Sequence, residues 1–357
     1  MMPRWKQDWP QARARIQEWW EGRGFVVGTW GGVALSRPHA DLQPPEVPAT
    51  LAQQWTDIGW RAAQARGQAA WTTWPLETLP VVDPWFGPGS LALCLGSPPG
   101  WERDTVWFGP TIMEPDTHPP LELDTENTWW KAQMALIEEM MAAAAGDYYV
   151  GCPDLVEHWD ILGSLRDTQM LLMDMIERPA WVQERIEEIE RAWFAAYERL
   201  YAMLRVQDGM FGWFRTWAPG KVAKLQCDGS SMFSPAMFRE FVQPALRRQC
   251  QWLDRSLYHL DGSQCLCHLE ALLEIEELDA IEWTPDPRAP SGGSPHWYGM
   301  YRRILGAGKR VQVLGASAAE IPPLLDAVGT DGVNFLCFFS SEKEAEEYER
   351  VVGKLRA

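Results

Sequence analysis

The chain has 357 residues, 46% of them hydrophobic, and carries 49 acidic against 32 basic side chains, a formal net charge of −17. This length and apolar content supply a large core without disulfides or structural metals. The acidic excess argues against nucleic acid and anionic membranes as partners, because both require clustered Lys and Arg.

The compartment is indicated by what the sequence lacks. No run approaches the roughly 18 apolar residues that a membrane helix needs, and the N-terminus, MMPRWKQDWPQARARIQEWW, lacks the apolar core of a signal peptide. The seven cysteines are odd in number and scattered, unlike a secreted disulfide framework. We therefore expect a cytoplasmic protein. Most of the 22 tryptophans are expected in the core or in an interface, and a homodimer is left open.

The first half of the chain alternates helical and strand-like segments. An amphipathic helix over 10–22 forms an N-terminal extension, 1–23, and a buried strand then ends at Trp30, a candidate substrate-binding residue. Residues 84–128 are rich in Pro, Gly, Trp and Asp and predict an elaborated loop region with a few short strands. The other predicted elements are helices over 50–69 and 129–145 and strands at 79–85 and 147–151.

The second half repeats the strand–helix cycle more regularly. Two long helices are separated by a break at Pro179, and Ser234 followed by Pro235 marks another helix start. Further strands are predicted at 224–228, before His259, and at 280–284, 310–315 and 333–338, and further helices at 265–278, 297–307, 318–327 and 342–356.

These elements predict an α/β protein. Eight or nine strand candidates, spaced about 25 to 50 residues apart, favour one domain over 1–357, a single (β/α)8 TIM barrel with an N-terminal helix and long loop elaborations. An open, doubly wound sheet is less favoured because no Gly-rich phosphate-binding fingerprint follows any strand.

The main chemical candidates lie at the ends of two apolar runs. His259 and Asp261 have i, i+2 spacing and so project from the same face of a strand. Both are ligands for Zn²⁺, and the thiolate of Cys337, with Cys227 as the alternative, would complete a three-ligand site with an open fourth position. A plainer interpretation also stands, in which His259 hydrogen-bonds Asp261 or backbone and Cys337 is a core thiol.

Other polar side chains follow the predicted strands. Asp83, Asp154, Asp228 and Asp286 each come after an apolar run, so several carboxylates are expected to converge and raise each other's pKa. Asp228 is the candidate acid or base, and loop capping is the alternative for the others. The remaining substrate-binding candidates are Asp154, Trp283, and the pair His158 and Arg166, which flank a helix start and are suited to an anionic group. For Arg166, an ion pair with a surface acid is the alternative.

Four segments carry a resemblance to a known family: YYVGCPDLVEHWDILGSLRDTQMLLMDMIERPAWVQ, QCDGSSMFSPAMFREFVQP, SLYHLDG and LDAIEWTPDP. In this order they resemble a divergent member of the uroporphyrinogen decarboxylase superfamily, which also contains cobalamin-dependent methyltransferases and coenzyme M alkyltransferases. The resemblance covers residues 145–290 and implies a (β/α)8 barrel with its site in the mouth.

The methyl- and alkyltransferase branch implies a zinc held by a His-x-Cys pair and a later Cys, where it activates a thiol. His259 matches the histidine, Asp261 stands where the first cysteine would be, and Cys337 is the candidate for the later one. This departure gives a harder ligand set than two thiolates. The decarboxylase branch has an N-terminal arginine-rich motif without a counterpart in GTWGGVALSRPHADLQ, so we expect uroporphyrinogen decarboxylation to be absent.

The resemblance therefore implies an enzyme that transfers a methyl or alkyl group to or from a small molecule. Zinc is the expected metal, and a corrinoid or cobamide, carried by a corrinoid protein, is the expected donor or acceptor. The catalytic residues would be Asp228, His259 and Asp261. Two alternatives remain: a metal-free, decarboxylase-like lyase acting on a small carboxylic acid, and a non-catalytic barrel that binds a tetrapyrrole or another small molecule.

Overall fold

The computed structural model describes residues 2–357. In that range, strands and helices alternate along most of the chain. The strands are β1 Phe25–Thr29, β2 Val33–Ala34, β3 Thr72–Thr73, β4 Val81–Val82, β5 Pro99–Trp101, β6 Val106–Phe108, β7 Tyr149–Val150, β8 Met210–Gly212, β9 Thr216–Ala218, β10 Val222–Gln226, β11 Arg255–Asp261, β12 Ala280–Thr284, β13 Arg310–Leu314 and β14 Val333–Cys337.

The helices lie mostly between the parallel strands. They are α1 Trp9–Trp20, α2 Leu51–Thr56, α3 Ile58–Ala70, α4 Leu91–Cys94, α5 Thr128–Ala144, α6 His158–Arg166, α7 Thr168–Glu177, α8 Pro179–Leu204, α9 Pro235–Phe241, α10 Gln243–Trp252, α11 Leu269–Leu273, α12 Tyr298–Gly306, α13 Ile321–Val328 and α14 Glu342–Arg356. No helix among residues 2–357 combines the length and the apolar character needed to cross a membrane.

The central sheet has six parallel strands in the order β1-β14-β13-β12-β11-β10. A second parallel pair, β4-β7, lies apart from it, and the other strands form three antiparallel pairs. Strand pairing is interrupted on both sides of the β4-β7 pair. Near these two interruptions, Glu77 N donates a hydrogen bond to Val27 O at 3.0 Å, and Cys152 N donates one to Phe211 O at 2.6 Å. The predicted α/β class with a parallel sheet is thus confirmed, although residues 2–357 show no continuous strand pairing around a closed barrel.

Local sequence signals explain several helix boundaries. Ser234 caps α9 through its hydroxyl, with Pro235 at the first position, as predicted. The chain also breaks at Pro179 as predicted, and α14 starts with a capping box made by Ser341 and Glu344. The predicted helix at 265–278 is shorter, since a 3₁₀ turn at Ser263–His268 precedes α11.

The register of the sheet aligns five polar side chains in one row. Gln226, His259, Glu282, Gln312 and Asn334 are direct partners across β10, β11, β12, β13 and β14. Because strand side chains alternate, their neighbours in sequence face the surrounding helices. The row therefore faces away from the helices, and it supplies the polar residues of the site described next.

Candidate metal centre

Three predicted residues meet where β10 and β11 end. Asp228, His259 and Asp261 each offer a ligand atom, and these atoms all lie within 4.8 Å of one another. His259 and Asp261 share a face of β11, and Asp228 follows the end of β10. Asp228 and Asp261 are exposed whereas His259 is buried, so the cluster has an open side.

A buried carboxylate on the next strand fixes the orientation of His259. The Nδ1 atom of His259 hydrogen-bonds Oε2 of Glu282, and Thr284 Oγ1 donates to the other oxygen of that carboxylate at 2.8 Å. Burial lowers the pKa of His259, but the charge and hydrogen bond of Glu282 outweigh that effect, so the pKa is raised overall. With Nδ1 engaged by Glu282, Nε2 is the nitrogen left for a ligand, on a side chain that is only 8% exposed.

A chain of hydrogen bonds holds Asp228. Gln226 Nε2 donates to Asp228 Oδ2 at 2.8 Å, and Lys224 Nζ hydrogen-bonds Gln226 Oε1. The carboxylate of Asp160 accepts the backbone N–H groups of Asp228 and Gly229 at 2.8 and 2.9 Å. Burial, together with the charge of Asp228, raises the pKa of Asp160 to about 7. The loop that carries Asp228 is therefore fixed at its backbone as well as at its side chain.

An aromatic wall lies on the other side of His259. Phe214, at the tip of the β8–β9 hairpin, has its ring centroid 4.1 Å from that of His259 and 5.0 Å from that of Trp30. Phe214 and Arg215 both have left-handed φ values, 56° and 54°. Arg215 Nη1 pairs with Asp83 at 2.9 Å, and Gln312 Nε2 donates to Phe214 O at 3.3 Å. Trp30 thus lies near the cluster, as a wall residue.

The two cysteines proposed as ligands are not part of the cluster. Cys337 is fully buried, and its thiol interacts with the hydroxyl of Tyr348 on α14. It lies on the helix-facing side of β14 because Asn334 and Leu336 occupy the other side. Cys227 is also buried, where burial raises its pKa well above the ordinary value. The cluster that the structure brings together therefore contains Asp228, His259 and Asp261 and neither of the two cysteines.

Four of the substrate-binding candidates also lie away from the open side, because their polar groups are engaged or buried elsewhere. Asp154 pairs with Lys224 at 2.7 Å beneath the cluster. Arg166 donates to Asp174 and to the carbonyl groups of Ile112 and Met113, so it braces a loop. His158 is 1% exposed, and Trp283 is fully buried against Trp297, with ring centroids 4.8 Å apart.

The remaining carboxylates converge only in part. Asp261 has its pKa raised, first by burial and then by Asp228 and Asp286. Asp286 itself accepts hydrogen bonds from the backbone and hydroxyl of Ser263, which lower its pKa and make it a loop cap. Asp83 is paired with Arg215. The two expectations, convergence of carboxylates and loop capping, therefore hold for different residues: burial and neighbouring carboxylates raise the pKa of Asp261, whereas Asp286 caps a loop.

Three residues of the site did not emerge from the sequence. Glu282 lies inside an apolar run, where a lone acid on a buried strand is itself a signal, because such groups require a partner. Asp160, in the first turn of α6, looks like an ordinary helix-start acid. Phe214 belongs to a hairpin without the Asn-Gly or Asp-Gly turn that identifies hairpins in a sequence.

Comparisons with known proteins give the fold. No protein-family model matches the chain, and no curated protein matches it in sequence. Among solved structures, a methyltransferase from Methanosarcina mazei is similar with a TM-score of 0.63 and 11% sequence identity, covering 97% of this chain and 99% of that one. At that identity, the similarity shows only that the two chains share a fold over nearly their whole length.

Proposed function

We propose that this protein is a metal-assisted methyl- or alkyl-group transferase built on a (β/α)8 barrel. The observation that carries the proposal is the cluster of Asp228, His259 and Asp261, whose ligand atoms lie within 4.8 Å of one another while Glu282 holds Nδ1 of His259 and leaves Nε2 for a ligand. The full-length structural similarity to a methyltransferase supports the reaction class.

The donor set fits a divalent cation such as Zn²⁺ or Mn²⁺. One imidazole nitrogen and two carboxylates are three protein ligands, the number that catalytic sites use when one position is kept open for substrate. The absence of thiolates from the cluster makes the set harder than the zinc site implied by the family resemblance. A bound cation would supply Lewis acidity, stabilising negative charge on a substrate atom or lowering the pKa of a bound thiol or water.

The protein's own groups would hold and orient this centre. Glu282 would accept a hydrogen bond from Nδ1–H of His259 and so leave Nε2, made more basic by this contact, as the nitrogen that exchanges its proton for a cation. Gln226 orients Asp228 from the side chain, and Asp160 orients it from the backbone. Phe214 covers the imidazole and excludes water from that side, which strengthens electrostatic interactions at the cluster.

The second reactant is proposed to be a corrinoid or cobamide, presented by a separate corrinoid protein. This part rests on the family resemblance and on the open side of the cluster, where both carboxylates are exposed. A thiol or another small nucleophile would be the partner in the exchange.

The proposal is tested by transfer assays on purified protein supplied with Zn²⁺ or Mn²⁺. Methylcobalamin is offered with a panel of thiols, and loss of the methyl–cobalt absorption is followed. We expect metal-dependent transfer that falls at least about 100-fold in His259→Ala and persists in Cys337→Ala, because Cys337 faces α14. Transfer that is equal with and without metal, or unaffected in His259→Ala, would contradict the proposal.

One observation favours a second candidate, a decarboxylase-like lyase. The carboxyl group of Asp160, with its pKa raised to about 7, is available as a proton donor near neutral pH beside Asp228. This candidate predicts CO₂ release from a small carboxylic acid without added metal, lost in Asp228→Asn. Release that requires metal would favour the transferase-type centre instead.

A further inference from the structure

A cleft of about 470 Å³ adjoins the metal cluster, and Asp228 lines both. The walls of the cleft come from the β5–β6 hairpin, from α6 and its end, and from the 3₁₀ turn at Asp228–Met232. A molecule in this cleft would reach the cluster through Asp228. The chemistry of the walls therefore bears on what the proposed enzyme binds.

The polar part of the lining is acidic. Asp160, Asp167 and Asp228 contribute three carboxylates, and the cleft is lined by no Lys, Arg or His among residues 2–357. Within the same range, none of the three forms an ion pair with a basic side chain. Asp160 and Asp167 each accept two backbone N–H groups, Asp160 also interacts with the Gln226 amide, and Asp228 accepts from Gln226. No basic side chain of the lining balances the negative charge at the cleft, and Lys224 and His259 act on Asp228 only from the side of the cluster.

The apolar part of the lining is aromatic. Trp107 is 62% exposed on the short β5–β6 hairpin, and Phe108 follows it. Trp159 is only 2% exposed, with its Nε1 engaged by the sulfur of Met175 at 3.0 Å, and its ring forms part of the floor of the cleft beneath Gly229. Exposed Met232 completes this surface with a thioether. Aromatic faces next to carboxylates are the surroundings that organic cations favour.

We propose that this cleft binds an organic cation of the alkylammonium class, with its charged head near Asp160 and Asp228 and its alkyl groups against Trp107 and Phe108. The inference deepens the proposed function, because it names the substrate class of the same site. A carboxylate or phosphate ligand would meet the negative charges of Asp167 and Asp228, and that of Asp160 above about pH 7. A neutral apolar ligand would remove water from these carboxylates and offer them no charge in exchange.

The binding test uses metal-free protein and isothermal titration calorimetry. Choline and tetramethylammonium are compared with 3,3-dimethyl-1-butanol, the neutral carbon analogue of choline. We expect saturable binding of the two cations and affinity for the neutral analogue at least about tenfold lower, a difference of about 1.4 kcal/mol. Equal affinities, or no saturable cation binding at millimolar concentration, would overturn the proposal.

Two variants in the cleft locate the binding. Trp107→Ala removes an exposed ring and should weaken choline binding about fivefold or more. Asp167→Asn removes a charge while keeping an N-cap residue for α7, and should weaken it about threefold. Trp71→Ala, at another exposed tryptophan outside the cleft, is the matched control and should change nothing. Unchanged binding in Trp107→Ala would also overturn the proposal.

His259→Ala separates this inference from the metal proposal. That side chain belongs to the cluster and does not line the cleft, so the variant should lose metal and still bind choline. Failure of metal binding with intact cation binding would count against the proposed function alone. Failure of cation binding with an intact metal site would count against the cleft alone.

Discussion

Glu282 on β12 lies directly beside His259 on β11 in the sheet register, and its carboxylate accepts a hydrogen bond from Nδ1–H of the imidazole. Glu282 is completely buried, and burial raises its pKa while His259 lowers it. An acid buried in this way is stabilised only by its partners, which are His259 and Thr284. The pair therefore fixes the orientation of the imidazole and leaves Nε2 as the nitrogen that can serve a cation in the cluster with Asp228 and Asp261.

Gly229 is expected to tolerate no side chain. A methyl group there would lie 1.8 Å from Cζ3 of the buried Trp159, where neither atom has room to move. Gly229→Ala should lower the free energy of unfolding by about 3 kcal/mol and disturb the loop of Asp228. Urea unfolding measures the effect, and Gly31→Ala, which would meet nothing within 4 Å, should change the stability by less than about 0.5 kcal/mol.

Arg215 and Asp83 are predicted to be energetically coupled. Burial raises the pKa of Asp83, and Arg215 opposes that effect. The two side chains are only 13% and 15% exposed. Arg215→Met should therefore cost about 2 kcal/mol, less than the ~3–5 kcal/mol of a fully buried pair. Asp83→Asn added to Arg215→Met should recover part of the loss; additive losses in this double-mutant cycle would show that the pair is not coupled.

His158 should make stability depend on acid pH. Burial, and then the charge of Arg248, lowers its pKa to about 3, against about 6.5 in the unfolded chain. As the pH falls from about 6.5 towards about 3, His158 binds a proton in the unfolded state but not in the folded state. Stability therefore drops by up to about 1.4 kcal/mol per pH unit from this group.

The His158 prediction is measured as a difference between proteins. Urea unfolding at pH 7.5, 6.0 and 5.0 should give a shallower pH dependence for His158→Asn than for the wild type. His118→Gln, at a partly exposed histidine whose Nδ1 contacts Pro119 O, serves as the control and should follow the wild type. An identical pH dependence for His158→Asn and the wild type would exclude this role for His158.

Cys337 is predicted not to be needed for metal binding. Its thiol packs against Tyr348, on the side of β14 opposite Asn334 and Leu336. Cys337→Ala should keep the metal content of the wild type by elemental analysis while lowering stability by about 1 kcal/mol, through the loss of a buried sulfur. Loss of the metal from this variant would return the cysteine to the ligand set.

The sequence predicted what depends on local chemistry. The apolar runs predicted the parallel strands, Ser234 with Pro235 predicted the start of α9, and the i, i+2 spacing predicted that His259 and Asp261 share a face. These features depend on periodicity and capping, which the residues themselves determine.

What the sequence did not predict depends on register and tertiary contact. Successive side chains of β14 point to opposite faces of the sheet, so a shift of one residue decides whether Cys337 faces the cluster or α14. The apolar run VNFLC does not indicate which face each residue takes. The partnership of Glu282 with His259 requires the pairing of β11 with β12. The tip of the β8–β9 hairpin adopts left-handed φ values at Phe214 and Arg215, residues that give no turn signal in the sequence.

The most direct test of the proposed centre is calorimetric titration of Zn²⁺ and Mn²⁺ into the metal-free protein. One cation should bind per wild-type chain, none should bind to His259→Ala, and Glu282→Gln should bind about 10- to 100-fold more weakly, because Glu282 only orients the ligand. Wild-type protein that takes up no cation, or His259→Ala that binds it as tightly as the wild type, would contradict the assignment of Asp228, His259 and Asp261 as a metal site.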